Sequence, residues 1–170
     1  MIDNYSLFSE FYDMDFGSIT VDTDMYAKLL KRDKDLLILS CGTGREMQKF
    51  SSFCTHISGV DCSRGMLEKA RSKKYNCPVK FFEQDMTSFD TGEKYDYIII
   101  PYNGILHLLS SEELEKCFLC VKKHLKKGGR FLFDFFFPNN SVKKDGKTVM
   151  FDYHRYDSVL KKDITRSLCI

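Results

Sequence analysis

Glycines and acidic residues follow short apolar runs in the middle of the chain. Gly42 and Gly44 follow one run, Asp61 follows the next, and Asp85 with Met86 follows a third. Glycines let a backbone turn sharply and approach a ligand closely. A carboxylate at the end of a strand can accept hydrogen bonds from ribose hydroxyls, and a carboxylate beside a backbone N–H can bind an adenine edge. The spacing therefore indicates a nucleoside site.

The glycine spacing distinguishes between two kinds of nucleotide cofactor. A dinucleotide fingerprint needs Gly-x-Gly-x-x-Gly around a pyrophosphate, but its third glycine, counted from Gly42, would fall at Met47. The spacing Gly-x-Gly-x-Gly falls on Ser40, Gly42 and Gly44, and only the first position departs from it. S-adenosylmethionine carries no phosphate and needs no complete anion cradle. The loop therefore favours this cofactor over a nicotinamide one.

Polar side chains also follow the fourth apolar run. Tyr102 and Asn103 come directly after it and His107 a few residues later, so we expect them to face the reacting end of a bound cofactor and its substrate. His107 and the N-terminal Tyr12 are the candidate catalytic and substrate-binding side chains, because attack by a hydroxyl or a protonated amine needs a base. The alternatives are a histidine packed at a helix start and an aromatic ring packed in a lid.

Cysteine and histidine near residue 120 superficially suggest a metal site. Cys117, Cys120 and His124 lie inside a predicted amphipathic helix, and no second pair of ligands completes a tetrahedral set. We therefore expect core cysteines here and no metal.

Alternating strands and helices must position the candidate residues. Strands are predicted over 36–39, 56–60, 79–82, 95–100 and 130–137, with helices over 45–53, 64–73 and from Ser110 to the Gly128-Gly129 pair. The strands are continuous apolar runs, which is typical of strands buried on both faces. The sequence therefore predicts an α/β fold with a Rossmann-like, doubly wound and mainly parallel sheet.

The chain is predicted to be one domain with three segments. Residues 1–34 form a helical cover, in which Met25-Tyr26 and Leu29-Leu30 make an apolar stripe. Residues 35–138 form the nucleotide-binding core. Residues 139–170 form an antiparallel strand pair, over 148–154 and 158–168, which is a candidate surface for a homo- or hetero-oligomer.

Composition narrows the function classes. The chain has 26 basic and 24 acidic residues and a net charge of +2, which argues against a nucleic-acid or membrane-surface binder. The apolar runs are too short to span a bilayer, and no secretory signal pattern begins the chain. Its 7 cysteines lack disulfide-framework spacing, so we expect free thiols in the cytoplasm. The expected partner is a small-molecule substrate.

Five motifs resemble those of class I S-adenosylmethionine-dependent methyltransferases, in order and approximate spacing. They are Cys41-Gly42-Thr43-Gly44-Arg45, Gly59 to Ala70, Gln84-Asp85-Met86, Tyr95 to Ile99, and Leu125 to Gly129. The segment Phe8 to Asp13 is similar to the N-terminal signature of the small-molecule type, which includes amino-sugar N-methyltransferases. The resemblance implies transfer of a methyl group to a nitrogen or oxygen of a small molecule.

The resemblance also implies residue roles. Ser40, Gly42 and Gly44 would approach the methionine part and ribose, Asp61 would bind the ribose, and Asp85 with Met86 the adenine. Tyr12 would lie in the cover, near the substrate. The remaining expected cofactor contacts are Cys41, Cys62, Met66 and Tyr102.

The chain departs from the family pattern in three respects. Ile38 replaces the acidic residue usual in the first strand, which belongs to the hydrogen-bond network around the methionine amino group. Ser40 replaces the first loop glycine. Relatives of this type continue past the position that matches Ile170, so the family's C-terminal part is expected to be missing. These departures motivate an alternative, a non-catalytic or half-competent subunit that a partner chain completes.

Overall fold

A computed structural model describes residues 4–135, 149–157 and 162–169. The chain divides into two compact units, Met1–Phe136 and Phe137–Ile170. In the second unit the strands Val149–Asp157 (β6) and Lys162–Cys169 (β7) form an antiparallel ladder. The predicted strand end at 136–137 and residues 138–148 lie outside the described residues.

The first unit is built on one sheet of parallel strands. These are Asp35–Leu39 (β1), His56–Asp61 (β2), Val79–Glu83 (β3), Tyr95–Ile100 (β4) and Leu125–Phe133 (β5). Their order is β3-β2-β1-β4-β5, and every neighbouring pair is parallel. The predicted Rossmann-like sheet is thereby confirmed. The strand order reverses between β1 and β4, which is where sheets of this kind bind ligands.

Helices connect and cover the strands. They are Asn4–Phe16 (α1), Val21–Leu29 (α2), Arg45–Phe50 (α3), Arg64–Arg71 (α4) and Ser111–His124 (α5), with a short 3₁₀ helix at Gly104–His107. Serine side chains cap two of these helices. The Ser63 hydroxyl accepts a hydrogen bond from the Met66 amide, and Ser110 with Glu113 forms a reciprocal capping box.

Both faces of the central strands β1, β2 and β4 are buried, as the continuous apolar runs predict, whereas the outer strands β3 and β5 are only partly buried. Leu36 and Ile38 of β1 pack on one face, in a cluster with Met47 of α3. The alternate residues Leu37 and Leu39 pack on the other face, in a cluster that includes Cys117 of α5. This alternation fixes the rotation of β1 about its own axis. The carboxyl end of β1 lies at the switch in strand order.

The predicted end of the last helix was wrong. Helix α5 ends at His124 and β5 begins at Leu125, which lies opposite Tyr95. Lys126 lies in the strand, and its ammonium is 2.6 Å from the Asp35 carboxylate and 2.9 Å from that of Asp96. Pairing with residues distant in sequence therefore overrides the local helical preference.

The predicted apolar stripe of α2 and the apolar face of α5 are only partly buried. In α5, Phe118 is 43 % exposed while Cys117, Val121 and His124 are buried. Around α2, Tyr26 and Leu30 are buried, whereas Met25 and Leu29 face solvent. The Tyr26 hydroxyl donates to the Ile100 carbonyl at 3.2 Å, which attaches α2 to the end of β4. Among the described helices, none has the length and hydropathy needed to cross a membrane.

Candidate functional site

A cavity of about 650 Å³ opens at the carboxyl ends of the central strands, beneath α1. Its size is that of an ordinary small-molecule site. Most of the predicted site residues line it. They are Tyr12, Ser40, Cys41, Gly42, Asp61, Cys62, Met66, Met86, Tyr102, Asn103 and His107. The strand ends therefore bring together side chains that are far apart in sequence.

Two predicted cofactor residues do not line the cavity. Gly44 faces α4, where a β-carbon would lie 2.5 Å from the Tyr75 hydroxyl. The Asp85 carboxylate turns back on its own loop and accepts hydrogen bonds from the Thr87 amide and hydroxyl, each at 2.7 Å. Within this loop it is Met86 that lines the cavity. The binding of adenine by Asp85 stays a prediction.

Asp61 organises the glycine loop as well as lining the cavity. One carboxylate oxygen accepts from the Gly42 amide and the other from the Ser63 amide, each at 2.8 Å. The residue is 9 % exposed. A carboxylate can accept about four hydrogen bonds, so these two bonds are compatible with binding a ribose.

Ser40 adopts a backbone conformation that glycine favours. Its φ is +54°, in the left-handed region. A β-carbon on Gly104 would lie 3.0 Å from the Ser40 β-carbon and 2.8 Å from an Ile100 methyl carbon. Gly104 therefore supplies the space for a serine at the position where the family has glycine.

One face of α1 forms an aromatic wall of the cavity. Tyr5, Phe8, Tyr12 and Phe16 all line it, and the Phe16 ring lies 5.5 Å from the Tyr102 ring. Of these α1 residues, only Tyr12 was predicted from the sequence. The signal was nonetheless present, because aromatic residues at these spacings share one face of a helix.

The two candidate catalytic residues differ in their surroundings. Burial raises the pKa of the Tyr12 phenol well above its ordinary value, and the nearby Glu46 carboxylate adds to the effect. Tyr12 therefore keeps its proton at neutral pH and can donate a hydrogen bond. His107 lies at the exposed rim, with its ring 5.6 Å from that of Tyr5.

Polar contacts hold α1 over the glycine loop. The Asp13 carboxylate accepts from the Thr43 hydroxyl at 2.5 Å and lies 2.6 Å from the Lys73 ammonium. At the other end of α1, Gly65 of α4 leaves room for Ser6, since a β-carbon there would come within 2.7 Å of the Ser6 backbone. Helix α1 therefore closes the cavity through contacts at both of its ends.

Replacing Asp13 by alanine should loosen this cover. We expect amide hydrogen exchange in α1 to accelerate about fivefold, which corresponds to the loss of roughly 1 kcal/mol from a partly exposed ion pair and hydrogen bond. Glu10→Ala, an exposed acid on the same helix, is the control. Equal exchange rates in the two variants would show that Asp13 does not hold the cover.

Asp134 positions the loop after β4, and sequence reasoning missed it. Its carboxylate accepts from the Tyr102 amide at 3.0 Å and the Asn103 amide at 3.2 Å. Both loop residues have positive φ, +52° and +63°, a conformation that costs energy without such support. Burial raises the pKa of Asp134. No local motif marks this role, because the contact joins residues that are remote in sequence.

Asp134→Ala should destabilise the protein by about 1–3 kcal/mol, because it leaves two loop amides without their acceptor. Urea denaturation would measure the change. Lys127→Ala, at an exposed position of the preceding strand β5, should change stability by less than ~0.5 kcal/mol. Equal stability of the two variants would refute the role given to Asp134.

The cysteine and histidine cluster of α5 forms internal contacts. Cys117 is buried in the core. The His124 Nδ1 lies 2.8 Å from the Cys120 carbonyl, and its Nε2 accepts from the Thr91 amide at 3.3 Å. Packing accounts for these side chains.

Comparison with known proteins identifies the family. A family model described as a methyltransferase domain matches residues 36–129, which is more than half of the chain. The chain belongs to the methyltransferase domain family. The resemblance to S-adenosylmethionine-dependent methyltransferases is thereby confirmed.

Two amino-sugar N,N-dimethyltransferases are similar in sequence to this methyltransferase domain. A dTDP-3-amino-3,4,6-trideoxy-α-D-glucopyranose N,N-dimethyltransferase of Streptomyces venezuelae is 25 % identical over 86 % of this chain and 66 % of its own. A dTDP-4-amino-2,3,4,6-tetradeoxy-D-glucose N,N-dimethyltransferase of Saccharopolyspora spinosa is also 25 % identical, over 66 % of this chain and 45 % of its own. The chain thus spans two thirds or less of the length of these relatives.

Solved structures confirm the methyltransferase fold. Streptomyces venezuelae DesVI superposes with a TM-score of 0.69 at 20 % identity, covering 99 % of this chain and 81 % of its own. An S-adenosylmethionine-dependent methyltransferase of Clostridium acetobutylicum gives 0.66 at 23 %, covering 96 % and 79 %. At these identities the similarity shows the fold alone.

Proposed function

We propose that this domain binds S-adenosylmethionine in the cavity and transfers its methyl group to a nitrogen or oxygen of a small molecule. The main support is the position of Asp61. Its carboxylate lies at the end of β2, lines the cavity and accepts a hydrogen bond from the neighbouring glycine loop. Glycine loop, carboxylate and cavity coincide at the switch in strand order. The family membership supports the same assignment.

The residues present fit this cofactor. The cavity is lined by the Asp61 carboxylate at the end of β2, the half-buried Met86 after β3, and a predominantly aromatic wall on α1. When bound, S-adenosylmethionine supplies a methyl group on a positive sulfur, and the protein supplies position and a water-poor pocket. Aromatic rings also suit a cationic ligand.

His107 is the proposed proton acceptor. An attacking amine or hydroxyl must lose a proton, and a histidine at an open rim can take it and pass it to solvent. Tyr12 keeps its own proton, so its proposed role is to donate a hydrogen bond or to pack against the acceptor. Asn103, which also lines the cavity, would help to position the acceptor.

An amine is the preferred acceptor. The support is the name of the relatives, which are amino-sugar N,N-dimethyltransferases. The test incubates the protein with methyl-labelled S-adenosylmethionine and matched pairs of sugars that differ only in an amino or a hydroxyl group. Labelled product from the amino sugar alone is expected. Label in the hydroxyl partner would overturn the amine assignment, and failure of the protein to bind either S-adenosylmethionine or S-adenosylhomocysteine would overturn the proposed function.

A further inference from the structure

A buried ion pair lies in the cavity wall, directly after the glycine loop. Arg45 and Glu46 begin α3, and both line the cavity. Their side chains are 8 % and 6 % exposed, and the Arg45 guanidinium donates to the Glu46 carboxylate. A glutamate at the start of a helix usually faces solvent, so a buried pair that faces a cavity requires explanation.

Arg45 is only partly satisfied by the protein. One terminal nitrogen donates to the Ile19 carbonyl and lies 3.3 Å from Asp22, and the other lies 2.5 Å from Asp22 and also donates to Glu46. Its Nε is buried and finds no hydrogen-bond partner within the described part of the chain. A buried N–H without an acceptor is costly, so the described protein groups leave the hydrogen-bonding capacity of this guanidinium incompletely used.

The first strand supplies no acid to the cavity. Ile38 occupies the usual acidic position and is completely buried in the core. Glu46 brings a carboxylate to the cavity from the next element of the chain. In this chain the helix that follows the glycine loop, and not the first strand, supplies the carboxylate.

The sheet order places this pair at one end of the cavity. Asp61 and Met86 follow β2 and β3, whereas Arg45 lies over the Tyr102 ring, after β4, at 4.9 Å. A nucleoside with its ribose at Asp61 and its adenine towards Met86 must extend its 5′ substituent in the opposite direction, towards β4. Arg45 and Glu46 lie on that side.

We propose that Glu46 and Arg45 bind the two charges of the amino-acid end of S-adenosylmethionine. The Glu46 carboxylate accepts from the α-ammonium group, and the Arg45 guanidinium pairs with the α-carboxylate. This inference rests on the proposed function and names the recognition site for its cofactor's methionine part.

The charges around Glu46 fit a cationic ligand group. Asp22 and Tyr26 face it from the segment that includes α2, Tyr12 from α1 and Cys41 from the glycine loop, and Arg45 is the cation paired with it. Burial raises the pKa of Glu46 to about 7. An ammonium group at this carboxylate would favour its ionised form. Affinity for the ligand should therefore rise as the pH increases towards about 7 and then level off.

The decisive experiment compares ligands with and without the amino-acid end. Calorimetric titration of Glu46→Gln should show S-adenosylhomocysteine binding weakened roughly 10- to 100-fold, the effect of losing a charge-assisted hydrogen bond. Methylthioadenosine, which has the same nucleoside but no amino-acid end, should bind both proteins within about twofold, because Glu46 makes no contact with it. Glu83→Gln is the control, since Glu83 is an exposed acid at the end of β3 that does not line the cavity. It should leave the ratio of the two affinities unchanged.

A second arm tests Arg45. A lysine in its place would keep the charge but lose the planar fork of donors. Arg45→Lys should weaken S-adenosylhomocysteine about tenfold and leave its decarboxylated analogue nearly unaffected. An equal loss for both ligands in both variants would overturn this inference and leave the nucleoside site intact. Failure of wild-type protein to bind either nucleoside would instead overturn the proposed function.

Discussion

Asp61→Ala should weaken S-adenosylhomocysteine binding by about 100-fold, or roughly 2.7 kcal/mol. The carboxylate is expected to hold the ribose, and it also accepts the Gly42 and Ser63 amides that shape the loop. Its removal therefore takes away a ligand contact and loosens the surface around it. Isothermal titration calorimetry measures the affinity.

Two controls separate these contributions. Glu83→Ala removes an exposed acid at the end of the neighbouring strand, and it should leave the affinity unchanged. A 2′-deoxyribose analogue of the ligand should lose less affinity in Asp61→Ala than the ribose form does, because one of the hydroxyls that Asp61 binds is already absent. Wild-type affinity of Asp61→Ala would mean that the site is misplaced.

Gly44→Ala should destabilise the protein by about 2–4 kcal/mol. Gly44 has a φ of +74°, and left-handed backbone costs alanine roughly 1–2 kcal/mol. Its β-carbon would also lie 2.5 Å from the Tyr75 hydroxyl and 3.2 Å from the Ala70 side chain. That hydroxyl donates to the Ala70 carbonyl at 2.7 Å, so it cannot move away without losing the bond.

Gly92 provides a matched control for the steric part. Its φ is +70°, and a β-carbon there meets nothing within 4 Å. Gly92→Ala should therefore cost only the backbone term, about 1–2 kcal/mol. Urea denaturation of both variants gives the comparison. Equal losses would show that Tyr75 and Ala70 do not constrain Gly44.

The sequence predicts the sheet well because its central strands are unambiguous. Apolar runs such as Ile98-Ile99-Ile100 leave no polar face, and only a strand covered on both sides buries them. The helix caps at Ser63 and Ser110 are likewise local chemistry. The local sequence does not determine where β5 begins. Leu125 and Lys126 follow a helix without a break, and their pairing with Tyr95, Asp35 and Asp96 decides their structure.

The site is predictable to the extent that strand ends determine it. Asp61, Met86 and Tyr102 reach the cavity because each lies at or shortly after the carboxyl end of a strand. Gly44 and Asp85 follow strands too, but the local turn directs them elsewhere, and sequence spacing does not reveal that direction. Glu46 is a further case, since its charge predicts exposure and only the fold places it in the cavity wall.

For the predicted strand pair at the end of the chain, the structure describes the pairing of the two strands and not their use. The backbone shows β6 and β7 paired antiparallel, with Val149 opposite Cys169. Its use in an oligomer, the small-molecule substrate and the cytoplasmic location remain predictions. Size measurement in solution would test the first of these directly.

The most direct test of the nucleoside site is a crystal structure of this protein with S-adenosylhomocysteine. We expect both ribose hydroxyls within hydrogen-bond distance of the Asp61 carboxylate, the adenine against Met86, and the amino-acid end towards Arg45 and Glu46. A nucleoside bound elsewhere, or one whose ribose points away from the second strand, would contradict it.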